Sequence, residues 1–319
     1  MLADARRSLA GQHRAHLSAA GAKRPNLQVI VKAQVNRILF DGRRTVAVEY
    51  ERGGVVERAD AEREVILSAG AVNSPHILQL SGVGAPEHLK RVGIPVHHAL
   101  PGVGQNLQDH YIARMSHPVS GTATVNERSR GLALVGEVVR YLVTGKGMLT
   151  YSASLAAASV KVLKESATPD VQCSIAPGSF KDGQIGELDD FPGITAGAWQ
   201  MRPLSRGYVE AKSSDPREAP VINPRYLSEQ TDRRAIVGAL RFIRQLFAAP
   251  PLAKYCGAEI LPGAHIAGDD ELLDYARRAR AQPSTTRHAP ARSAATKCRW
   301  STTSCGCTGS SDCASSTRR

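Results

Sequence analysis

Gly70-Ala71-Val72-Asn73-Ser74-Pro75-His76-Ile77-Leu78-Gln79-Leu80-Ser81-Gly82-Val83-Gly84 is the stretch from which the rest of this chain is best read. Residues 64–67 form a short apolar-ended strand that runs directly into Ser68-Ala69-Gly70-Ala71. Such small side chains let the backbone come close to a flat or bulky group. A helix follows at once: Asn73 or Ser74 can cap it, Pro75 suits a first turn, Ile77, Leu78 and Leu80 point inward, and Gly82 ends it. Strand, small-residue turn and helix in that order are the start of an α/β unit.

Upstream, the runs 27–31, 35–40, 45–50 and 55–59 are short and β-rich, and Asp41-Gly42 marks a tight reversal, so a β-meander is expected. Downstream, a helix over 86–92 stops at Gly93, and the turn-rich Leu100-Pro101-Gly102-Val103-Gly104 leads into Asn106-Leu107-Gln108-Asp109-His110. A domain change is placed there. Beyond it, 131–143 and 155–163 read as helices, and 171–175, 195–201 and 207–211 as strands. One late helix begins at Asp232 with Ile236, Val237, Leu240, Ile243 and Phe247 on one stripe; another begins at Asp269 or Asp270 with Leu272, Leu273 and Ala276. The expected architecture is α/β followed by α+β, divided into residues 1–110, 111–280 and a structureless tail over 281–319.

Composition removes several classes of function. The chain has 319 residues and is 42% hydrophobic, enough for a substantial core. No run approaches the ~20 apolar residues of a membrane span, and the first 25 residues mix Arg, His and Gln with Ala, so no span or signal core is expected and the reading is cytoplasmic. The formal charge is +12, but Lys and Arg are scattered and aromatics are only 5%, which argues against nucleic-acid binding. Of the six cysteines, Cys298, Cys305, Cys307 and Cys313 crowd into the tail with no zinc-type pairing, so no metal is expected.

The quoted stretch resembles the second signature of the glucose-methanol-choline (GMC) oxidoreductases, fixing small residues, a Ser-Pro pair, two aliphatics and a Ser-Gly-aliphatic-Gly ending. Leu100 to His110 is similar to the family's segment after that signature. Arg202-Pro203-Leu204-Ser205-Arg206-Gly207, Asp215-Pro216 and Pro220-Val221-Ile222-Asn223-Pro224 resemble its substrate-domain strands. The resemblance covers about residues 15–280 and is choline-dehydrogenase-like in character. It implies a partial FAD-binding domain of GMC type joined to an antiparallel-sheet substrate domain, with a small alcohol as substrate. In such enzymes a histidine base takes the hydroxyl proton while a hydride passes from the substrate carbon to the flavin N5. The resemblance places Val35 at the position whose backbone meets the adenine end of FAD, and Ala69, Gly70 and Asn73 beside the cofactor. His110 falls at a domain-junction position, and no catalytic residue is assigned.

Two of the family's parts have no counterpart. Nothing like its Gly-x-Gly-x-x-Gly phosphate turn precedes Leu27, and no His-Pro motif follows Arg280. Read one frame over, Trp300 through Arg318 can encode VDDELRVHGLERLRVVDA, and Gln282 through His288 can encode AVYHP, in the order of the family's catalytic end. The expectation is therefore an internal fragment with a frame slip near Ala281, in which His288 is not the family base. Such a chain is expected not to oxidise alcohols alone. It would be a non-catalytic binding remnant, or half of a split enzyme completed by a separate N-terminal piece.

Overall fold

The computed structural model describes residues 24–152, 154–181, 187–279, 299–301 and 304–305. The first region opens with an antiparallel meander of β1 (Ala33–Asp41), β2 (Arg44–Arg52) and β3 (Val55–Asp60), in the order β1-β2-β3. Gly42, at φ +54°, makes the β1–β2 reversal. Residues 27–31, expected as a strand, have no regular structure, and among the described residues no strand pairs with their apolar run.

β4 (Glu64–Ile66) leads into α1 (Gly70–Leu80). The helix starts earlier than its side chains suggest. Ala69 is the N-cap, no side chain caps the end, and Pro75 lies inside the helix instead of in its first turn. The buried row from His76 to Leu80 holds it: Ile77 and Leu78 join Ile38, Val83 and Val103 in one apolar cluster. Burial outweighs the local preference for an Asn or Ser cap.

After α1 come β5 (Val83–Gly84), α2 (Pro86–Arg91), β6 (His98–Ala99), parallel to β5, and β7 (Gln105–Leu107). Gly82 has φ +80°, and a Cβ there would stand 2.5 Å from the Pro95 oxygen. Only glycine fits.

The second region is built on β8 (Ile112–Pro118), β9 (Ala156–Val160), β10 (Val171–Ala176) and β11 (Gly193–Gln200), an antiparallel sheet in the order β8-β11-β10-β9. Residues 155–163 are expected to be helical from their alanines. They instead pair as β9 with the free edge of β10, from Val160↔Val171 to Ala156↔Ile175. Edge pairing overrides the helix propensity of Ala.

Between β8 and β9 lie α3 (Val125–Arg128) and α4 (Gly131–Thr144). α4 is the helix expected over 131–143; on it Glu137 is buried, accepting from Arg128 Nη1 and the Met148 amide, while Leu132 and Leu142 are 89% and 75% exposed. β12 (Gly207–Glu210) sits between β13 (Val221–Asn223) and β7, so a strand of the first region completes a sheet of the second.

α5 (Gln230–Ala248) covers one face of the four-stranded sheet. Its stripe of Ile236, Leu240, Ile243 and Phe247, all nearly or fully buried, meets Ala113, Met115, Val171, Cys173, Ala196 and Ala198. Each large side chain so buried contributes about 1.5–3 kcal/mol. α6 (Pro250–Ala253) and α7 (Asp269–Ala279) follow, with Leu272 and Ala276 of α7 in the same core. Finally β14 (Arg299–Ser301) pairs with β4 and with β15 (Ser304–Cys305). The rest of the expected tail over 281–319, including His288, lies outside the described residues.

Candidate cofactor and substrate surfaces

The C-terminal end of α1 is fastened on two sides. Ser81 Oγ accepts a 2.8 Å hydrogen bond from the Ile38 amide and donates to the Ile77 oxygen, which stitches the helix end to β1. Gln79, 2% exposed, reaches the other way. Its Nε2 donates to the Val209 oxygen at 2.9 Å and the Val103 oxygen at 3.3 Å, and its Oε1 accepts from the Ala211 amide at 2.6 Å. One side chain thus satisfies backbone groups at both sides of the junction, where an unpaired group would be costly. Gly104 makes this approach possible: at φ +81° its hydrogen lies where a Cβ would sit 2.1 Å from the Val209 oxygen and 2.5 Å from Gln79 Nε2.

At the other end of α1 the surroundings reverse. Ala69, Gly70 and Asn73 are exposed, no side chain caps the first amides, and the first turn holds no acidic residue. Gly70 has φ +84°, and a Cβ placed on it would meet nothing within 4 Å. Among the described residues no side chain caps the positive end of the helix dipole, the setting that attracts an anionic or electron-rich group. These residues fit FAD. The three predicted from the signature lie together at the start of α1, and Val35 lies on β1, half-buried against the cluster that holds Ile77 and Leu78. Through that cluster β1 and α1 keep a fixed relation.

The junction residues are engaged in structure. His110 Nε2 donates to the Met201 oxygen at 3.1 Å, and its ring lies 6.3 Å from that of Trp199. Asp109 accepts from the His110 amide and, through its other oxygen, from the Tyr226 hydroxyl. Asp232, 3% exposed, accepts from the Leu204 and Ser205 amides and from Ser205 Oγ, binding the start of α5 to the segment before β12. Sequence reading treats Asp232 as a helix start and Gln79 as an unremarked position. The signal was a single polar residue set within an apolar row.

The face of the four-stranded sheet away from α5 carries the alternate residues, among them Ile112, Arg114, Gln172, Ser174 and Trp199, all partly exposed. It is the polar, partly open wall beyond the His110 junction. Cys173, on the α5 side, is buried, and burial pushes its thiol up to about 11, so it is no nucleophile. Among the described residues there is no cluster of three or more metal-binding side chains, and no helix is long and apolar enough to cross a membrane.

Comparison with known proteins accounts for this arrangement. The GMC oxidoreductase N-terminal profile matches residues 4–112 and the C-terminal profile residues 203–295. Human mitochondrial choline dehydrogenase is 36% identical over 257 residues, 80% of this chain and 43% of that protein. Oxygen-dependent choline dehydrogenase 1 of Chromohalobacter salexigens is 35% identical over 256 residues, 80% of this chain and 46% of that one. The chain thus spans less than half the length of these curated relatives. Among solved structures, a formate oxidase superposes with TM-score 0.72 at 21% identity, covering 80% of this chain and 50% of that one. An FAD-dependent oxidoreductase from Chaetomium thermophilum gives 0.68 at 24%, covering 81% and 51%. The likeness to these structures is one of fold. With profiles matching on both sides of the junction that Gln79 fastens, the chain belongs to the GMC oxidoreductase family.

Proposed function

We propose that this chain forms the substrate domain and part of the cofactor domain of a flavin-dependent oxidoreductase that acts on the CH–OH group of an alcohol. The observation that carries the reading is the uncapped, acid-free start of α1, with Gly70 open on its Cβ side, in a chain matched by the family profile. Ala69, Gly70 and Asn73 would hold FAD, with Val35 on the adjoining strand. Bound FAD supplies the hydride acceptor, N5 of its flavin ring. The chain's own part is to position. The α1 amides offer donors and a positive dipole end, Gln79 and Ser81 hold the helix still, and the open sheet face confines the alcohol beside it. We assign no catalytic base to this chain; His110 Nε2 already donates to Met201.

The test is equilibrium dialysis of the full chain against FAD, with Gly70→Val beside it. Saturable FAD binding that Gly70→Val weakens at least tenfold, with the melting transition retained, supports the reading. Binding that is absent, or unchanged in the variant, removes the cofactor site from these residues.

A further inference from the structure

The far end of β8 borders an open cavity of about 370 Å³. It lies roughly 20 Å along the strand from the His110 junction, at ~3.4 Å per residue. Phe247 and Ala248 at the end of α5 line it, with Ala253 at the end of α6 and Cys256 beyond. That last segment is fastened to β8: the Gly257 amide donates to the Pro118 oxygen at 2.9 Å, and Cys256 bridges Val119. The bridge sets the Cys256 side chain on the side of the strand that carries His117. The rings of His117 and Phe247 meet there with centroids 4.5 Å apart.

The charged residues of the wall are matched to each other. Arg244 Nε and Nη2 donate to the two Glu259 oxygens at 2.9 and 2.8 Å, and Nη2 also donates to the Ile266 oxygen at 2.6 Å. A pair closed in this way offers an ion of either sign little. Burial raises the Cys256 thiol above its ordinary value, so it stays protonated and adds soft, weakly polar surface. His117 differs. Its Nδ1 meets the Gly257 oxygen at 3.0 Å, and a carbonyl only accepts, so Nδ1 carries the hydrogen and Nε2 of the neutral ring presents a lone pair. His117 is 9% exposed, and its Nε2 is buried without a hydrogen-bond partner. Buried acceptors are ordinarily paired, and one left open in the wall of a cavity favours a ligand that brings the donor. His117 and Cys256 together fall short of the three or four side chains of a zinc site.

We infer that this cavity is a binding site, separate from the start of α1, for a small uncharged molecule with an apolar, ring-sized body and one hydroxyl donor. Its size is at the small end of ligand pockets, and its walls have the usual make-up, apolar surface with one placed polar group. The Phe247 ring and the alanines take the body, and His117 Nε2 accepts from the hydroxyl.

The full chain would be titrated by calorimetry with phenol, uncharged at pH 7, and with anisole, which keeps the ring and lacks the donor. Saturable phenol binding at least fivefold tighter than anisole is expected. His117→Phe should keep an aromatic ring against Phe247 and erase that preference. Ala248→Trp, at an exposed position, should fill the cavity and weaken both probes at least tenfold while retaining the melting transition. Anisole binding as tightly as phenol overturns the hydroxyl donor, and benzoate or benzylamine binding more tightly than phenol at matched ionic strength overturns the uncharged class. Phenol affinity left unchanged by Ala248→Trp overturns the site itself. Phenol affinity unchanged by added FAD supports the separation from α1; competition between the two overturns it.

Discussion

The two ends of α1 differ sharply in their surroundings, although the whole helix is eleven residues long. At its C-terminal end the side chains of Ser81 and Gln79 are both engaged: Ser81 holds β1, Gln79 holds the segments at Val103, Val209 and Ala211, and Gly82 and Gly104 leave room for backbone that no other residue could admit. At its N-terminal end the first amides have no cap, Gly70 faces open space and Asn73 is exposed. The contrast divides the family signature. Its Ser-Gly-aliphatic-Gly ending serves the fold, and its small-residue start is exposed and without a side-chain cap. A residue that belongs to one end should affect stability, and a residue of the other should affect cofactor binding.

The sharpest way to break this contrast is Gly104→Ala. Its Cβ would fall inside the Val209 carbonyl at a positive φ, so the chain is expected not to fold; a cooperative urea transition with native circular dichroism would show that the junction is not as close as described. Gln79→Leu comes next. It leaves three buried backbone groups without their partner, each costing about 1–3 kcal/mol, and should lower the urea midpoint far more than any change at the N-terminal end.

Gly70→Ala asks for the reverse pattern. The added methyl meets no neighbour, and the positive φ costs roughly 1–2 kcal/mol, yet FAD affinity measured by dialysis should fall by a larger factor than Gln79→Leu produces in the fraction that stays folded. Asn73→Asp sharpens the division further. A carboxylate in the first turn should stabilise α1 by about 0.3–1 kcal/mol and still weaken FAD, so stability and binding would move in opposite directions.

The smallest effect concerns pH. Burial lowers the His76 pKa below the ordinary imidazole value, because the charged ring loses its water. The folded state therefore binds its proton less readily than the unfolded one. Stability linked to His76 is present above about pH 6.5 and is lost as pH falls toward the depressed folded value. His76→Gln should flatten that limb of the urea midpoint against pH; an unchanged slope would place the dependence elsewhere.

Much of the fold was legible because its signals are local or periodic. The β1–β2–β3 meander follows from three apolar runs and a reversal at Gly42, and α5 from the spacing of Ile236, Leu240, Ile243 and Phe247. The failures are of another kind. Residues 156–160 carry helix formers but lie beside an unpaired strand edge, and residues 27–31 carry a β-rich run that no described strand pairs with. The presence or absence of a pairing edge is nothing that periodicity can register.

By itself the sequence determined the family and the order of α/β and α+β regions, because a fifteen-residue pattern of small, apolar and helix-ending residues constrains backbone shape directly; Ala69, Gly70 and Asn73 were placed beside the cofactor by the resemblance that pattern carries. The tertiary structure alone decided that Gln79 and Asp232 are fasteners and that residues 156–160 join the edge of β10 as a strand. Those facts depend on which strands pair and which groups meet across more than a hundred residues of chain, as Gln79 and Val209 do. Contacts over such separations are set by the sum of burial and hydrogen bonding in the folded chain, and no local run of residues encodes them.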